Sequence, residues 1–299
     1  MKLLMIDRNG EYGLGVKLDD RIVDIRAALE IWPDPRVPSD IMDLIGGGAE
    51  ALAALKNYLR QLTSSEKADI CITSEHDIQF GPCVTRPNKI ICIGLNYRKH
   101  AAETNAAIPE YPILFNKLNN TLTGHLQDVQ LPERVSSEVD YEAELVIVMG
   151  KTTKYAEIDE ALDHVFGYSC VNDLSARDLQ FRTHQWLLGK SCDGFSPLGP
   201  YLVTADEVED PNNLYIKCLI NGEVRQHSNT SDMIFRCSEI VSYVSRHMTL
   251  DPGDIILTGT PEGVVLGYPK EKRVYLRAGD VVTVEIEKLG RLTNRMVSE

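Results

Sequence analysis

Two glutamates head one of the most apolar runs in the chain: in DYEAELVIVMG, residues 140–150, Glu142 and Glu144 lead into Leu145, Val146, Ile147, Val148 and Met149. On a strand, side chains two apart share a face and lie roughly 6–7 Å apart along it, so both carboxylates look the same way. Burial strips hydration from each while they repel. Such a pair is tolerable if a proton is shared, a basic side chain intervenes or a cation sits between them; otherwise it is a solvated strand end. In HVFGYSCVNDLSARDLQFR a second apolar strand runs into Asp173. An aspartate there is a preferred helix N-cap, and a helix is expected just after it. Beside the glutamate strand, the same carboxylate would be a third oxygen ligand, a donor set that suits a hard octahedral cation such as Mg²⁺. No histidine or cysteine shares the spacing, which argues against zinc.

Other residues have chemistry of their own. His100 and Glu103 in NYRKHAAETN lie three apart on what reads as one helical turn, so they share a face. A carboxylate that holds imidazole in one tautomer makes a general base for water, although such pairs are common on solvated helices. The AAIPEYP that follows lacks periodicity, so residues 97–112 are expected to form a mobile lid. Lys190 leaves an apolar run and reads equally as a snorkelling lysine. Arg177 and Gln180 share a helical face after Asp173, where surface pairing is the simpler reading. Thr260, in DIILTGTPEG, ends a strand in a Gly-Pro loop and would offer a ligand a hydroxyl and a backbone N–H, or merely make a turn.

The elements that must position these residues are mostly short strands. From residue 89 onward KIICIG, ILFNK, AELVIVMG, VFGYSCVND, LGPYLVT, YIKCLING, DIILTGT and DVVTVEIEKLGRLTN dominate. Helical periodicity is confined to about 96–105, 158–163, 174–181 and SDMIFRCSEIVSYVSRHM. The pattern predicts a β-rich α+β domain, since regular strand-helix alternation is lacking. Residues 1–80 mix short strands with helices at SDIMDLI and AEALAALKNYLRQL, predicting a small α/β N-terminal domain before a domain at 81–299, with the boundary in the turn-rich FGPCVTRPNK. The glycines of GEYGLGVKL read as hairpin-turn residues. GKS at 189–191 is not a phosphate loop, because His184 stands where the first glycine belongs.

Composition narrows the partners. A net charge of -13 and a pI near 5.1 argue against nucleic acid. The N-terminal MKLLMIDRNG is too short an apolar run for a signal peptide, and no stretch reaches the ~18–20 apolar residues that span a bilayer. A cytoplasmic protein is expected, with no membrane partner. The seven cysteines contain no CxxC and read as small buried hydrophobes.

Taken together, GLNYRKHAAE, DYEAELVIVMGK, HVFGYSCVNDLSARDLQ, GKSCDGFSPLGP, SDMIF and LTGTPEGV resemble, in order, the motifs of the fumarylacetoacetate hydrolase family over about residues 89–292. The resemblance implies a mixed β-sandwich roll, usually a homodimer, and Mg²⁺ or Mn²⁺ held by Glu142, Glu144 and Asp173. It places the family's lid dyad on His100 and Glu103, its active-site lysine on Lys190, and its substrate-binding arginine, glutamine and threonine on Arg177, Gln180 and Thr260. Glu262 departs from the small residue that relatives often carry after TGTP, so a carboxylate is expected near the pocket mouth. The implied activity is hydrolysis of a C–C bond in a β-diketo or 2-oxo acid of the acylpyruvate type, through a metal-stabilised enolate. Oxaloacetate decarboxylation or isomerisation of a 2-hydroxy-diene-dioate needs the same enolate without the attacking water. A relative that only binds a metabolite would be expected to have lost a ligand or dyad member, and every position is present.

Overall fold

The run behind the paired glutamates forms the strand Ala143–Met149, every residue of it buried. Its side chains alternate between two core layers, Ala143, Leu145, Ile147 and Met149 entering one and Val146 and Val148 the other. Each fully buried Leu, Ile or Val contributes about 1.5–3 kcal/mol, so this strand resists displacement. A strand covered on both faces and both edges is central. It pairs antiparallel with Val165–Asn172 on one side and Ile255–Leu257 on the other.

The computed structural model describes residues 1–64 and 68–299. Around the central strand a twelve-stranded sheet runs Ile72–Ser74, Arg21–Asp24, Glu11–Leu18, Lys2–Arg8, Ser196–Thr204, Val165–Asn172, Ala143–Met149, Ile255–Leu257, Ile90–Gly94 and Ile113–Lys117. Phe80–Gly81 and Leu122–Thr123 attach beside this path. A five-stranded sheet, Glu223–Asn229, Tyr215–Ile220, Val281–Ile286, Gly290–Ser298 and Asp128–Leu131, closes the roll. Its Val282, Val284, Leu292 and Met296 share a core layer with Leu145 and Ile147. The strand-rich α+β architecture is the one the sequence predicts.

On the other face, Val146, Val148 and Leu198 share their core layer with Leu55, Leu59 and Leu62 of the helix Gly48–Thr63 and with Ile41, Leu44 and Ile45 of Ile41–Gly46. The N-terminal strands also join the large sheet directly, Lys2 and Leu3 pairing with Val203 and Leu202. Asp40 caps the second of these helices through Met42 N. No helix among the described residues is long and apolar enough to cross a membrane.

Several local expectations are corrected. Asp173 is not a helix cap; the short helix Arg177–Gln180 begins after Ala176, because Ser175 and Ala176 first pair with Asp140 and Val139. Ile25–Ile31 is a helix that the alternation of RIVDI conceals, started by the Asp24 carboxylate accepting from Ala27 N. Gly13 and Gly15 lie within the strand Glu11–Leu18, and only Gly10 takes the turn, at φ +90°.

Candidate metal centre and lid

Glu142 and Glu144 sit at the mouth of the central strand, where its partner ends. Ala143 is opposite Asn172, so the next residue of the partner strand, Asp173, turns in beside Glu142, its N–H donating to the Glu142 carbonyl at 2.9 Å. The Asn172 side chain accepts from Glu142 N at 3.0 Å. One carboxylate oxygen from each of Glu142, Glu144 and Asp173 lies within 4.8 Å of the others, and all three residues are buried.

Three buried cations surround them. Lys190 Nζ donates to Glu142 Oε2 at 2.6 Å and to Asp173 Oδ2 at 2.7 Å. Lys117 Nζ donates to Asp173 Oδ1 and to the carbonyls of Leu174 at 3.2 Å and Phe195 at 2.8 Å, which uses all three of its protons. Arg177 spreads its guanidinium over Asp140 Oδ2 (Nε, 2.9 Å), Gln180 Oε1 (Nη1, 2.9 Å) and Glu142 Oε1 (Nη2, 2.7 Å). Four buried carboxylates thus meet three buried cations. Glu144 is the one left over: among the described residues its hydrogen-bond donor is the backbone N–H of Gly259, at 2.8 Å.

The proton affinities follow this imbalance. Burial opposes ionisation of Glu142, but Lys190 and Arg177 outweigh it and hold the carboxyl at about 2. For Glu144, burial and then the charges of Asp173 and Glu142 push the carboxyl well above the usual range. Burial disfavours charge on Lys190 and Arg177, yet their carboxylate partners raise both. Of the ways to tolerate paired glutamates, the protein therefore uses basic partners for Glu142, while burial and acidic neighbours favour the protonated form of Glu144. A divalent cation fits the donor set, which consists of hard carboxylate oxygens with one anionic site still without a cationic side chain.

Glu142, Glu144, Arg177 and Lys190 of this centre form the floor of a cavity of about 650 Å³. His100, Glu103, Thr104 and Asn105 line one wall, Ile113, Phe115 and Trp186 a second, and Leu266–Lys270 a third. His100 and Glu103 lie on the helix Arg98–Glu103. Glu103 Oε1 is 2.8 Å from His100 Nδ1, and since a carboxylate only accepts, Nδ1 donates and Nε2 is the nitrogen left to exchange a proton. The other oxygen of Glu103 accepts from Gly263 N at 2.9 Å. The helix start is pinned by Arg98 Nη1 on the Met233 carbonyl at 2.6 Å and by Lys99 N on Asp232 Oδ2 at 3.1 Å, giving SDMIF a physical purpose.

The remaining expected site residues also gather here. Gln180, Thr260 and Lys190 line the cavity, Lys190 with its ammonium 5.0 Å from the Phe115 ring centre. The Thr260 hydroxyl is spent on the scaffold, donating to Ala143 O at 3.0 Å and accepting from Gln226 Nε2 at 2.8 Å. Glu262 pairs with Lys99 of the helix Arg98–Glu103 at 3.6 Å and is not among the residues lining the cavity. Two participants escaped the sequence reading. They are Lys117, at the end of ILFNK, and Asp140, which accepts from Arg177, Val265 N and Leu266 N. The parity of Asp140 with Glu142 was the available signal for the second.

Comparison with known proteins matches residues 89–297 to the family model for the fumarylacetoacetate hydrolase C-terminal region. A mitochondrial oxaloacetate tautomerase of Xenopus laevis is 42% identical over 288 residues, 95% of this chain and 86% of that one. Among solved structures, a fumarylacetoacetate hydrolase from Exiguobacterium antarcticum superposes with a TM-score of 0.84 at 33% identity over the whole of both chains. A Sphingobium maleylpyruvate hydrolase in complex with manganese(II) and pyruvate gives 0.79 at 30% identity, covering 100% of this chain and 99% of that one.

Proposed function

This chain belongs to the fumarylacetoacetate hydrolase family, an enzyme family, and from that premise we propose that it moves a proton at the carbon beside the keto group of a 2-oxo acid, interconverting the keto and enol forms of oxaloacetate or a close relative. The observation that carries the reading is one cavity lined both by the His100 imidazole and by Glu142 and Glu144, two members of a buried carboxylate triad. The similarity to the Xenopus laevis oxaloacetate tautomerase supports that choice of substrate.

Glu142, Glu144 and Asp173 would hold Mg²⁺ or Mn²⁺, which when bound supplies Lewis-acid stabilisation of the charge that develops on the 2-oxo acid. The manganese in the Sphingobium neighbour supports the assignment. His100 Nε2, its partner nitrogen fixed by Glu103, takes the proton from carbon and returns it to oxygen. Lys190 keeps its positive charge because Asp173 and Glu142 raise it, so it serves as an electrostatic stabiliser rather than as a base. Gln180 lines the floor and offers its amide protons to the carboxylate end of the substrate, while its oxygen is held by Arg177. Residues 97–112 close over the site and exclude water.

A second reading is cleavage of a C–C bond in an acylpyruvate, favoured by a cavity of about 650 Å³ that exceeds what a four-carbon acid fills. There His100 would take its proton from water. One NMR time course separates the two, following oxaloacetate and a series of acylpyruvates with Mn²⁺ and with chelator. Chelator-sensitive acceleration of keto-enol exchange in oxaloacetate is expected. Cleavage of acylpyruvates without that acceleration would move the assignment to hydrolysis, and inertness toward both would sink it.

A further inference from the structure

The Glu103 carboxylate does two things at once, and the place where it does them exists only because residue 267 has no side chain. A Cβ built on Gly267 would meet Glu103 Cδ at 2.5 Å, Oε2 at 2.5 Å and Oε1 at 2.9 Å, its three nearest heavy atoms. No backbone demand accounts for this glycine, since its φ is not among the positive ones. Gly263 differs: it stands at φ +99°, and an added Cβ would be 2.2 Å from the Arg225 carbonyl. That glycine serves the turn, whereas Gly267 serves the lid.

The seat is held from below. Asp140 accepts from Val265 N at 2.9 Å and Leu266 N at 3.0 Å while bonded to Arg177, so the turn carrying Gly267 is fastened to the side of the charged centre. From above, Glu103 reaches Gly263 N with Oε2 and His100 Nδ1 with Oε1. We propose that Gly267 is a positioning residue: its bare Cα makes the seat in which Glu103 simultaneously latches the lid helix to the 263–267 turn and orients His100. This deepens the assignment of His100 as base and rests on it, but the seat itself is independent of which 2-oxo acid is used.

The sequence consequence is specific. A methyl group at 267 displaces only the end of a flexible side chain, so the fold tolerates it, while both Glu103 contacts are lost together. The experiment is a double-mutant cycle of Gly267→Ala and Glu103→Ala in the full-length, Mn²⁺-loaded protein, read by turnover and by hydrogen exchange of residues 98–106 without substrate. Gly267→Ala alone is expected to lower turnover by about 10²-fold, the scale of a misplaced catalytic group. It is also expected to speed lid exchange. In the Glu103→Ala background the same substitution should change turnover and exchange by no more than about twofold. Mn²⁺ affinity, read by calorimetry, should match wild type in every variant. Equal costs in both backgrounds, or lid exchange unaltered by Gly267→Ala, would overturn the proposal. If no 2-oxo acid is turned over by wild type, the functional assignment fails, and the exchange arm of the cycle still decides the seat.

Discussion

The charged floor of the cavity and the helix Arg98–Glu103 in its wall, the proposed lid, are built on opposite principles. On the floor, Asp173 is held through both carboxylate oxygens by Lys117 and Lys190, and Glu142 through both by Arg177 and Lys190. Deleting any one member takes a partner from charges that stay buried. The lid base, by contrast, is oriented by one carboxylate that itself leans on one backbone N–H, and the Glu103 side chain is 22% exposed where Asp173 is 0%. On the proposed function, a site for a cation gains from ligands that cannot move, whereas a base that admits substrate and then covers it gains from contacts that can open. The molecule places its redundancy accordingly.

The sharpest way to break this contrast is Asp173→Ala. It takes from Lys117 its carboxylate partner and leaves Lys190 with Glu142 alone, and is expected to abolish Mn²⁺ binding in calorimetry and to cost about 3–5 kcal/mol of stability in urea denaturation. Unchanged stability would mean that the floor is not interlocked. His100→Ala should do the reverse, lowering turnover by about 10²–10⁴-fold. Its urea midpoint should stay at the wild-type value, and a substantial loss of stability would remove the distinction between the regions.

A gentler probe is pH. Because burial and its acidic neighbours raise Glu144, the metal-free centre holds a proton that a cation must expel. Mn²⁺ affinity should therefore rise with pH, by about tenfold per unit for one proton released, until Glu144 is ionised in the free protein. The sign follows because the raised carboxyl binds its proton more tightly in the free state than in the bound one. Calorimetry in buffers of different ionisation enthalpy measures the released proton, and pH-independent affinity would count against Glu144 as the protonated ligand. The smallest effect is expected for Lys99→Ala, which removes a partly exposed pair with Glu262 and should change stability by less than about 1 kcal/mol. Lid exchange should quicken only slightly, because Glu103 and the Asp232–Met233 anchor remain.

Much of the floor was legible in the chain. Period-two alternation alone put Glu142 and Glu144 on one face, and an apolar run ending in Asp173 supplied a third oxygen. The three-residue spacing of His100 and Glu103 likewise brought their side chains together on one helical turn. Local periodicity carries such information because neighbours in sequence are neighbours in space.

Where partners come from distant segments, periodicity is silent. Lys117 meets Asp173 across 56 positions because Ile113–Lys117 pairs with Ile90–Gly94, which in turn lies parallel to Ile255–Leu257 beside the central strand. No spacing within ILFNK encodes that. Arg177 seemed free to reach a substrate, yet the fold brings Asp140, Glu142 and Gln180 to its donors. The sequence by itself determined which residue types share a face, and hence that an acidic triad and a histidine-glutamate pair exist. Only the tertiary structure decided which cations neutralise which carboxylates, that Glu144 is met by a backbone N–H instead of a cation, and that Gly267 lies under Glu103. Charge balance in a buried site is a sum over every group within a few ångströms, and sheet order, not sequence distance, sets who those groups are.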